Sequence, residues 1–474
     1  MRIFFLNPPI LTGEAYMKEL GRCGRRSVAG ELWPQTGLAY LAAVALREKC
    51  DVKLIDAIAS GETAHDLKQI TAAFAPDLVI ANTTTPTFKN DAKVLEILRS
   101  GHPQGVYAFT GTHVSALPEE SLLESGADLV FIDEAEQTLR EMILKWKNWS
   151  DIPGLAYKKG ETILITSPCP YISNLDELPF PAREFLPNDK YRMPFFEEEP
   201  YVTVIPTRGC PWQCIFCRAG KVWGSRIRTR SPENVIEEIQ EIKTKLGINN
   251  VVFMTDSLTL DKKWAAAFFD AILERNLVFR WICNSRVDAV TQEMLSRMKK
   301  SGCLLISYGV ESGNQEILDA AKKKITLEDS RNAIKWTREA GIISMAYFIL
   351  GLPGETPETI EETIRFACDL EPDYVNFHIA TPFPGTQLYD IAREKGWLVT
   401  TDWSEYEEEG SAVLRTEALT AQDLVCAQKR AMRRFYMRPK RILKEIRSLK
   451  NFAQLKARLK AGLSLFRLLS RKKN

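Results

Sequence analysis

Three cysteines, Cys210, Cys214 and Cys217, stand at C-x3-C-x2-C spacing inside the string Thr207-Arg208-Gly209-Cys210-Pro211-Trp212-Gln213-Cys214-Ile215-Phe216-Cys217. A loop of that spacing can turn three thiolates toward one centre, and thiolates suit iron–sulfur clusters and zinc. Three ligands on a four-iron cluster leave one iron without a protein side chain, much as a catalytic metal keeps an open position. Gly209 permits unusual φ and Pro211 stiffens the turn, which fits a chain wrapping closely around a cluster. A closed zinc site needs a fourth ligand, usually from a second paired motif. No other CxxC or HxxxH occurs, and the chain has four histidines. The spacing therefore points to one [4Fe-4S] cluster with Cys210, Cys214 and Cys217 as its metal ligands and catalytic centre. The other seven cysteines form no second motif, and Cys23 is the one to test for a role near a substrate.

Elements must position that loop. It follows a strand candidate, Tyr201–Pro206, the first of six; the others are Asn250–Met254, Phe279–Cys283, Leu304–Gly309, Ser344–Leu350 and Tyr374–Ala380. Helical periodicity separates them over Pro232–Leu246, Lys262–Glu274, Thr291–Lys300, Gln315–Lys323 with Leu327–Ala340, and Pro357–Leu370. Six βα units in series predict a partial (β/α)6 barrel of the TIM type, open on one side, with chemistry at the carboxyl ends of its strands. Upstream, apolar runs Arg2–Leu6, Val52–Ile55, Leu78–Ala81, Val106–Phe109 and Leu129–Ile132 alternate with helical patterns. That alternation predicts a doubly wound, Rossmann-like or flavodoxin-like parallel sheet, with its ligand beyond the strand ends at Asn7–Pro9, Asn82–Phe88 and Thr110–Leu117. The fold class is thus α/β: residues 1–150 form the Rossmann-like domain and 151–200 a proline-rich linker with a hairpin at Lys159-Gly160. Residues 201–400 form the barrel, and 401–474 a helical C-terminal region.

A C-x3-C-x2-C loop after the first strand of a partial barrel resembles the radical SAM superfamily. The resemblance implies that the open iron chelates the amino and carboxylate groups of S-adenosylmethionine, which is reductively cleaved to a 5′-deoxyadenosyl radical. It also implies a reductant such as flavodoxin or ferredoxin. Gly309-Val310-Glu311-Ser312-Gly313 looks like the segment beside the methionine and ribose, with Glu311 accepting ribose hydroxyls. Arg286, in the third-strand segment, serves the ligand carboxylate or a barrel ion pair, and Phe216 packs near the adenine. Relatives often carry two consecutive acids after the second strand; this chain has Thr255-Asp256-Ser257, so Asp256 alone can do acid work there.

A doubly wound domain ahead of such a barrel resembles the cobalamin-binding subgroup of that superfamily, called class B when its members are methylases. Leu6-Asn7-Pro8-Pro9, Gly37–Ala42, Gly111-Thr112-His113-Val114 and the Leu178–Arg183 linker agree with it. The resemblance places cobalamin against Asn7, Thr84, Thr85, Gly111, Thr112 and His113. Asp-x-His-x-x-Gly, which supplies the lower axial ligand in mutase-type carriers, is absent, so the cofactor is expected base-off with no histidine on cobalt. Asp133-Glu134-Ala135-Glu136 stands where relatives tend to have Gly-Glu-Gly-Glu. The alternative is a vestigial domain without cofactor.

Charge and composition bound the rest. Net charge is +2, yet from Lys429 to Asn474 17 Lys or Arg oppose one acid, Glu445. That stretch carries +16 and the preceding 428 residues −14. Within it Leu443, Ile446, Leu449, Phe452, Leu455, Leu459 and Leu463 recur at helical spacing, flanked by cations that include Arg441. An apolar stripe rimmed by cations predicts peripheral binding to an anionic membrane surface, against the alternative of a helical cap on the barrel. No apolar run reaches the roughly 18–20 residues of a membrane span, and the scattered cysteines fit a reducing cytoplasm. The expected activity is methylation, oxidation or rearrangement at an unactivated carbon of a hydrophobic, lipid- or tetrapyrrole-like small molecule. Anaerobic magnesium-protoporphyrin ester cyclases share this architecture, and Ile80–Phe88 looks like hopanoid-associated members. RNA modification and a non-catalytic iron–sulfur module are the alternatives. Phe452 and Phe466 do not make a nucleic-acid stacking platform.

Overall fold

A computed structural model describes residues 1–13, 16–19, 24–26, 31–407 and 410–447. Cys23 and the tail's apolar stripe from Leu449 onward lie outside the described residues.

Strands β1 (Arg2–Asn7), β2 (Asp51–Asp56), β3 (Leu78–Asn82), β4 (Val106–Thr110) and β5 (Leu129–Phe131) pair in parallel in the order β2-β1-β3-β4-β5. This is the flavodoxin-like doubly wound order, with its topological switch between β1 and β3. Helices cover both faces, so every residue of β3 is buried and its sequence, Leu-Val-Ile-Ala-Asn, does not alternate. The hairpin at Lys159-Gly160 forms as β6 (Leu155–Lys159) and β7 (Thr162–Ile165), which extend this sheet antiparallel from β5.

The second sheet is wholly parallel and runs in chain order: β8 (Val202–Val204), β9 (Asn250–Phe253), β10 (Arg280–Ser285), β11 (Cys303–Glu311), β12 (Ile343–Leu350) and β13 (Tyr374–Ile379). Among the described residues β8 and β13 do not pair, so the barrel is open. Side chains alternate across each strand. Val251, Phe253, Trp281, Ile306, Phe348 and Phe377 pack outward on the helices. Val252, Ile282 and Leu305 face inward and share a core with the linker's Tyr191, Met193 and Phe196, with Tyr201 just after it, and with residues of the first sheet. The linker thus plugs the barrel and joins the two sheets. Ser231, Asp261, Thr291, Thr326 and Thr356 each accept backbone N–H groups at a helix start, satisfying donors worth about 1 kcal/mol per cap.

Two local expectations change. The helix expected over Gln315–Lys323 stops at Ala320, because Lys322 and Lys324 adopt left-handed φ of 53° and turn Lys323 inward. Arg441, expected among the tail's exposed cations, is buried against the barrel instead. Its guanidinium donates to the Pro372 and Asp373 carbonyls and lies over the Phe435 and Tyr436 rings. Ile442 and Leu443, next along that helix, are exposed. No helix among the described residues is long and apolar enough to cross a membrane.

Candidate active site

The cysteine loop leaves the barrel through a two-residue ladder, Thr207–Arg208 against Arg228–Thr229, which closes its base. Gly209 has φ 94°, and a Cβ there would stand 2.1 Å from the Arg226 carbonyl oxygen, so no side chain fits. Backbone N–H groups of Cys210 and Cys217 donate to Gly224 and Cys214 carbonyls, and the Ala219 N–H donates to Cys217 Sγ at 3.4 Å. Ile215 is stitched on both sides, its N–H to Ala321 O and its carbonyl to Leu388 N. All three thiols are free. Burial pushes the Cys210 and Cys214 thiols up, while Lys323 and Arg286 pull Cys214 the other way. Among the described residues no three His, Cys, Asp or Glu side chains close into a metal-holding group. The donor set, three soft thiols on one short loop with cations beside it, still has the chemistry an iron–sulfur cluster takes.

The barrel's strand ends gather around this loop. Phe216 packs with Ile215, Leu352, Ala380 and Leu388. Asp256 lines a small cleft with Thr207, Arg208, Trp223 and Met254, and acts electrostatically on Cys210. Of the two roles expected for Arg286, the structure displays the ion pair. Its guanidinium holds Asp288 through two 2.9 Å bonds, donates to Lys323 O at 2.9 Å and stacks 4.2 Å over Trp212. Gly309 sits at a β-bulge whose next-but-one residue, Glu311, has φ 69° and receives Lys323 Nζ at 2.5 Å. Sequence reasoning missed Lys323, because a Lys-Lys-Lys run reads as solvated surface.

At the carboxyl end of the first sheet the expected residues also meet, and all are buried. Asn7 donates to Asp56 at 2.7 Å, and Thr84 Oγ1 bonds Thr87 Oγ1 at 2.9 Å. Thr85 Oγ1 lies 3.3 Å from His113 Nδ1, and the Thr112 carbonyl accepts from Arg218 at 2.5 Å. Gly111 has φ 132°, and a Cβ would come 2.0 Å from Thr83 O. The His113 ring stacks on Phe88 and meets Trp403 edge-on; burial lowers its pKa to about 3, so it is neutral. Four buried polar atoms at these strand ends, Asn7 Oδ1, Asn82 Oδ1, Thr110 Oγ1 and His113 Nε2, have no hydrogen-bond partner. A corrin ring is rimmed with primary amides, which both donate and accept, so these residues fit that group.

Three further features tie the two halves together. Arg208, buried, grips Glu134 at 3.0 Å and Glu136 at 2.6 Å, while Arg228 holds Glu134 at 2.9 Å. Asp133 beside them has φ 58°, a left-handed conformation that glycine adopts more readily. Arg218, next to Cys217, reaches Thr112 O beyond one sheet's strand end and Pro384 O in the loop after the other sheet's last strand. A short strap, Tyr16–Glu19, crosses between the sheets and pairs through Tyr16–Met17 with Arg25–Arg26. Lys18 is buried in an ion pair with Asp91 at 2.9 Å, and Asp91 also accepts from Thr83 and Thr87. Met17 faces the opposite way, into a cavity of about 270 Å³ on the concave face of the barrel. The ion pairs of Lys18, Arg208 and Arg228 have no local sequence signal; their partners are more than 70 residues apart.

Comparison with known proteins agrees with this arrangement. The radical SAM superfamily matches residues 204–367 and the B12 binding domain residues 23–143. An uncharacterized methyltransferase of Pyrococcus horikoshii is 35% identical over 89% of this chain and 92% of its own. The anaerobic magnesium-protoporphyrin IX monomethyl ester cyclase of Cereibacter sphaeroides is 29% identical over 92% of this chain and 71% of its own. The cobalamin-dependent S-adenosylmethionine radical enzyme OxsB shares the fold with a TM-score of 0.75 at 15% identity, covering 98% of this chain and 72% of that one. The chain therefore belongs to the radical SAM superfamily, among the enzymes that join its barrel to a B12-binding domain.

Proposed function

We propose that this enzyme methylates an unactivated carbon of a hydrophobic small molecule, with Cys210, Cys214 and Cys217 holding a [4Fe-4S] cluster. Cobalamin would sit against Asn7, Thr84, Thr85, Gly111, Thr112 and His113. The observation that carries the reading is the apolar cavity, which reaches Met254 beside the cysteine loop and Met17 beside the first sheet's ligand end. Together the cluster, S-adenosylmethionine and cobalamin supply single-electron chemistry and a methyl carrier. The chain's own residues do the rest. Arg208 and Arg228 fix the base of the cysteine loop through Glu134 and Glu136. Lys323 holds the carboxylate of Glu311, which would accept ribose hydroxyls of S-adenosylmethionine, and Arg286 braces Trp212 and the Lys323 turn. Met, Trp and Phe side chains exclude water from the cavity, which protects a reactive species from quenching.

Anaerobically reconstituted protein should hold about four irons and form 5′-deoxyadenosine under reduction by flavodoxin or ferredoxin. Cys210→Ala, Cys214→Ala and Cys217→Ala should each abolish both. Cleavage retained in any one of them overturns the assignment. Domain limits of 1–150, 151–200, 201–400 and 401–474 go with this reading. So does peripheral attachment to an anionic membrane, supported by the exposed Met437, Ile442 and Leu443 ahead of the basic tail.

A further inference from the structure

The cysteine loop ends on an arginine that reaches three places outside it. Arg218 follows Cys217 directly, and its side chain is 8% exposed. Nη1 donates to the Thr112 carbonyl at 2.5 Å and to the Pro384 carbonyl at 3.3 Å, while Nη2 stands 3.7 Å from Asp133 Oδ1. Gly385 leaves room for this reach, since a Cβ there would come 3.2 Å from the guanidinium carbon.

Thr112 and Asp133 belong to one unit. The Asp133 N–H donates to Ser115 Oγ at 2.9 Å, and that hydroxyl donates to Gly111 O at 2.8 Å, closing the turn Gly111–Ser115. Arg218 therefore holds, from two sides, the turn whose first three residues the proposed function sets against cobalamin. Its own backbone is fixed as well. The Arg218 carbonyl accepts the Lys221 and Val222 N–H groups at 2.8 and 3.1 Å, and the Cys217 N–H before it donates to Cys214 O at 3.1 Å. A guanidinium is planar, always charged and presents its donors in a rigid fork, so it carries position from one loop to the next better than a flexible ammonium does.

A cluster that ties Cys210, Cys214 and Cys217 to one centre fixes the backbone ahead of Arg218, and with it the guanidinium. The turn Gly111–Ser115 is then ordered before cobalamin arrives, and a ligand that meets its competent site already populated binds more tightly. Resting on the cluster and cobalamin placements above, we propose that Arg218 is a positioning residue that couples the two cofactors. A loaded cysteine loop strengthens cobalamin binding through the Arg218–Thr112 contact. Linkage makes the effect reciprocal, so bound cobalamin steadies the cluster by the same factor.

The test is equilibrium dialysis of hydroxocobalamin against the full-length chain, before and after anaerobic reconstitution of the cluster. The reconstituted parent should bind at least about fivefold more tightly than the cluster-free parent, the lower end of ordinary coupling between sites. Arg218→Met should abolish that difference, and Arg218→Lys, which keeps the charge and loses the fork, should retain part of it. A merely structural role for Arg218 would weaken both states alike and leave their ratio unmoved. His113→Ala should do just that, because it touches the cofactor and not the bridge. Equal affinity of the parent in both states, an undiminished ratio in the Arg218 variants, or failure of both variants to assemble a cluster overturns the proposal. Failure of the cobalamin placement shows separately, as His113→Ala binding like the parent in both states.

Discussion

Arg208→Met probes how the cysteine loop is held. Arg208 bridges two carboxylates that are as buried as it is, Glu134 at 3.0 Å and Glu136 at 2.6 Å. Arg228 remains on Glu134 when Arg208 is lost, but Glu136 is left with no cation, and its second oxygen already has no donor. One uncompensated buried carboxylate sets the expected cost at about 3–5 kcal/mol. Removing that orphan charge should return much of it, so Arg208→Met with Glu136→Gln is expected to recover about 2 kcal/mol or more. Anaerobic urea unfolding followed by tryptophan fluorescence measures both. Trp223, whose ring lies 4.8 Å from the Arg208 guanidinium, reports locally. Because Arg208 stands two residues before Cys210, iron content after reconstitution should fall in the single variant and recover in the double. A loss under about 1 kcal/mol, or a double variant no more stable than the single, refutes the argument.

Three other outcomes are expected. His113→Ala should bind hydroxocobalamin with an unchanged corrin spectrum but severalfold weaker, since Nε2 would lose a hydrogen bond to the corrin rim. His65→Ala and His102→Ala should not differ from the parent, and a spectral change in any of the three would reveal an axial ligand. Burial raises the Asp56 carboxyl to about 6 from an ordinary 3.8, with Asn7 and Tyr191 pulling it down. The folded chain therefore keeps a proton that the unfolded chain has lost between those values. This group's contribution is full at low pH and declines by about 3 kcal/mol as pH rises to about 6. The difference in unfolding free energy between the parent and Asp56→Asn should accordingly shift between pH 4 and 7, and a difference independent of pH refutes it. Finally, the intact chain should sediment with anionic but not neutral liposomes, and Ile442→Glu with Leu443→Glu should weaken this at least threefold. Equal sedimentation of parent and variant would remove the membrane reading.

The barrel's strands, and the contiguous candidate for the cluster loop, stood out because both rest on local pattern. Alternation along β8–β13 marks each strand to within a residue or two, and C-x3-C-x2-C is contiguous. Most of the wiring was not. Lys323 lies in a run of three lysines, and only the left-handed turns at Lys322 and Lys324 send it to Glu311. No local pattern ties Glu134 and Glu136 to Arg208, which the fold brings to them from more than 70 residues away. The cavity combines residues from Met17 to Asn376, and no window of sequence contains it.

Met17 and Lys18 are neighbours in the chain, yet one borders the barrel cavity and the other is locked to Asp91 at the carboxyl end of the first sheet. A single extended stretch is therefore a party wall with two independent faces, because successive side chains of a strand point apart. Heredity can act on those faces separately. Exchanges at Met17 would re-cut the cavity that the proposed function gives to the substrate, while Lys18, Thr83, Thr87 and Asp91 keep the wall standing. Lineages built on this plan can change what they modify by drifting at one residue and conserving the next.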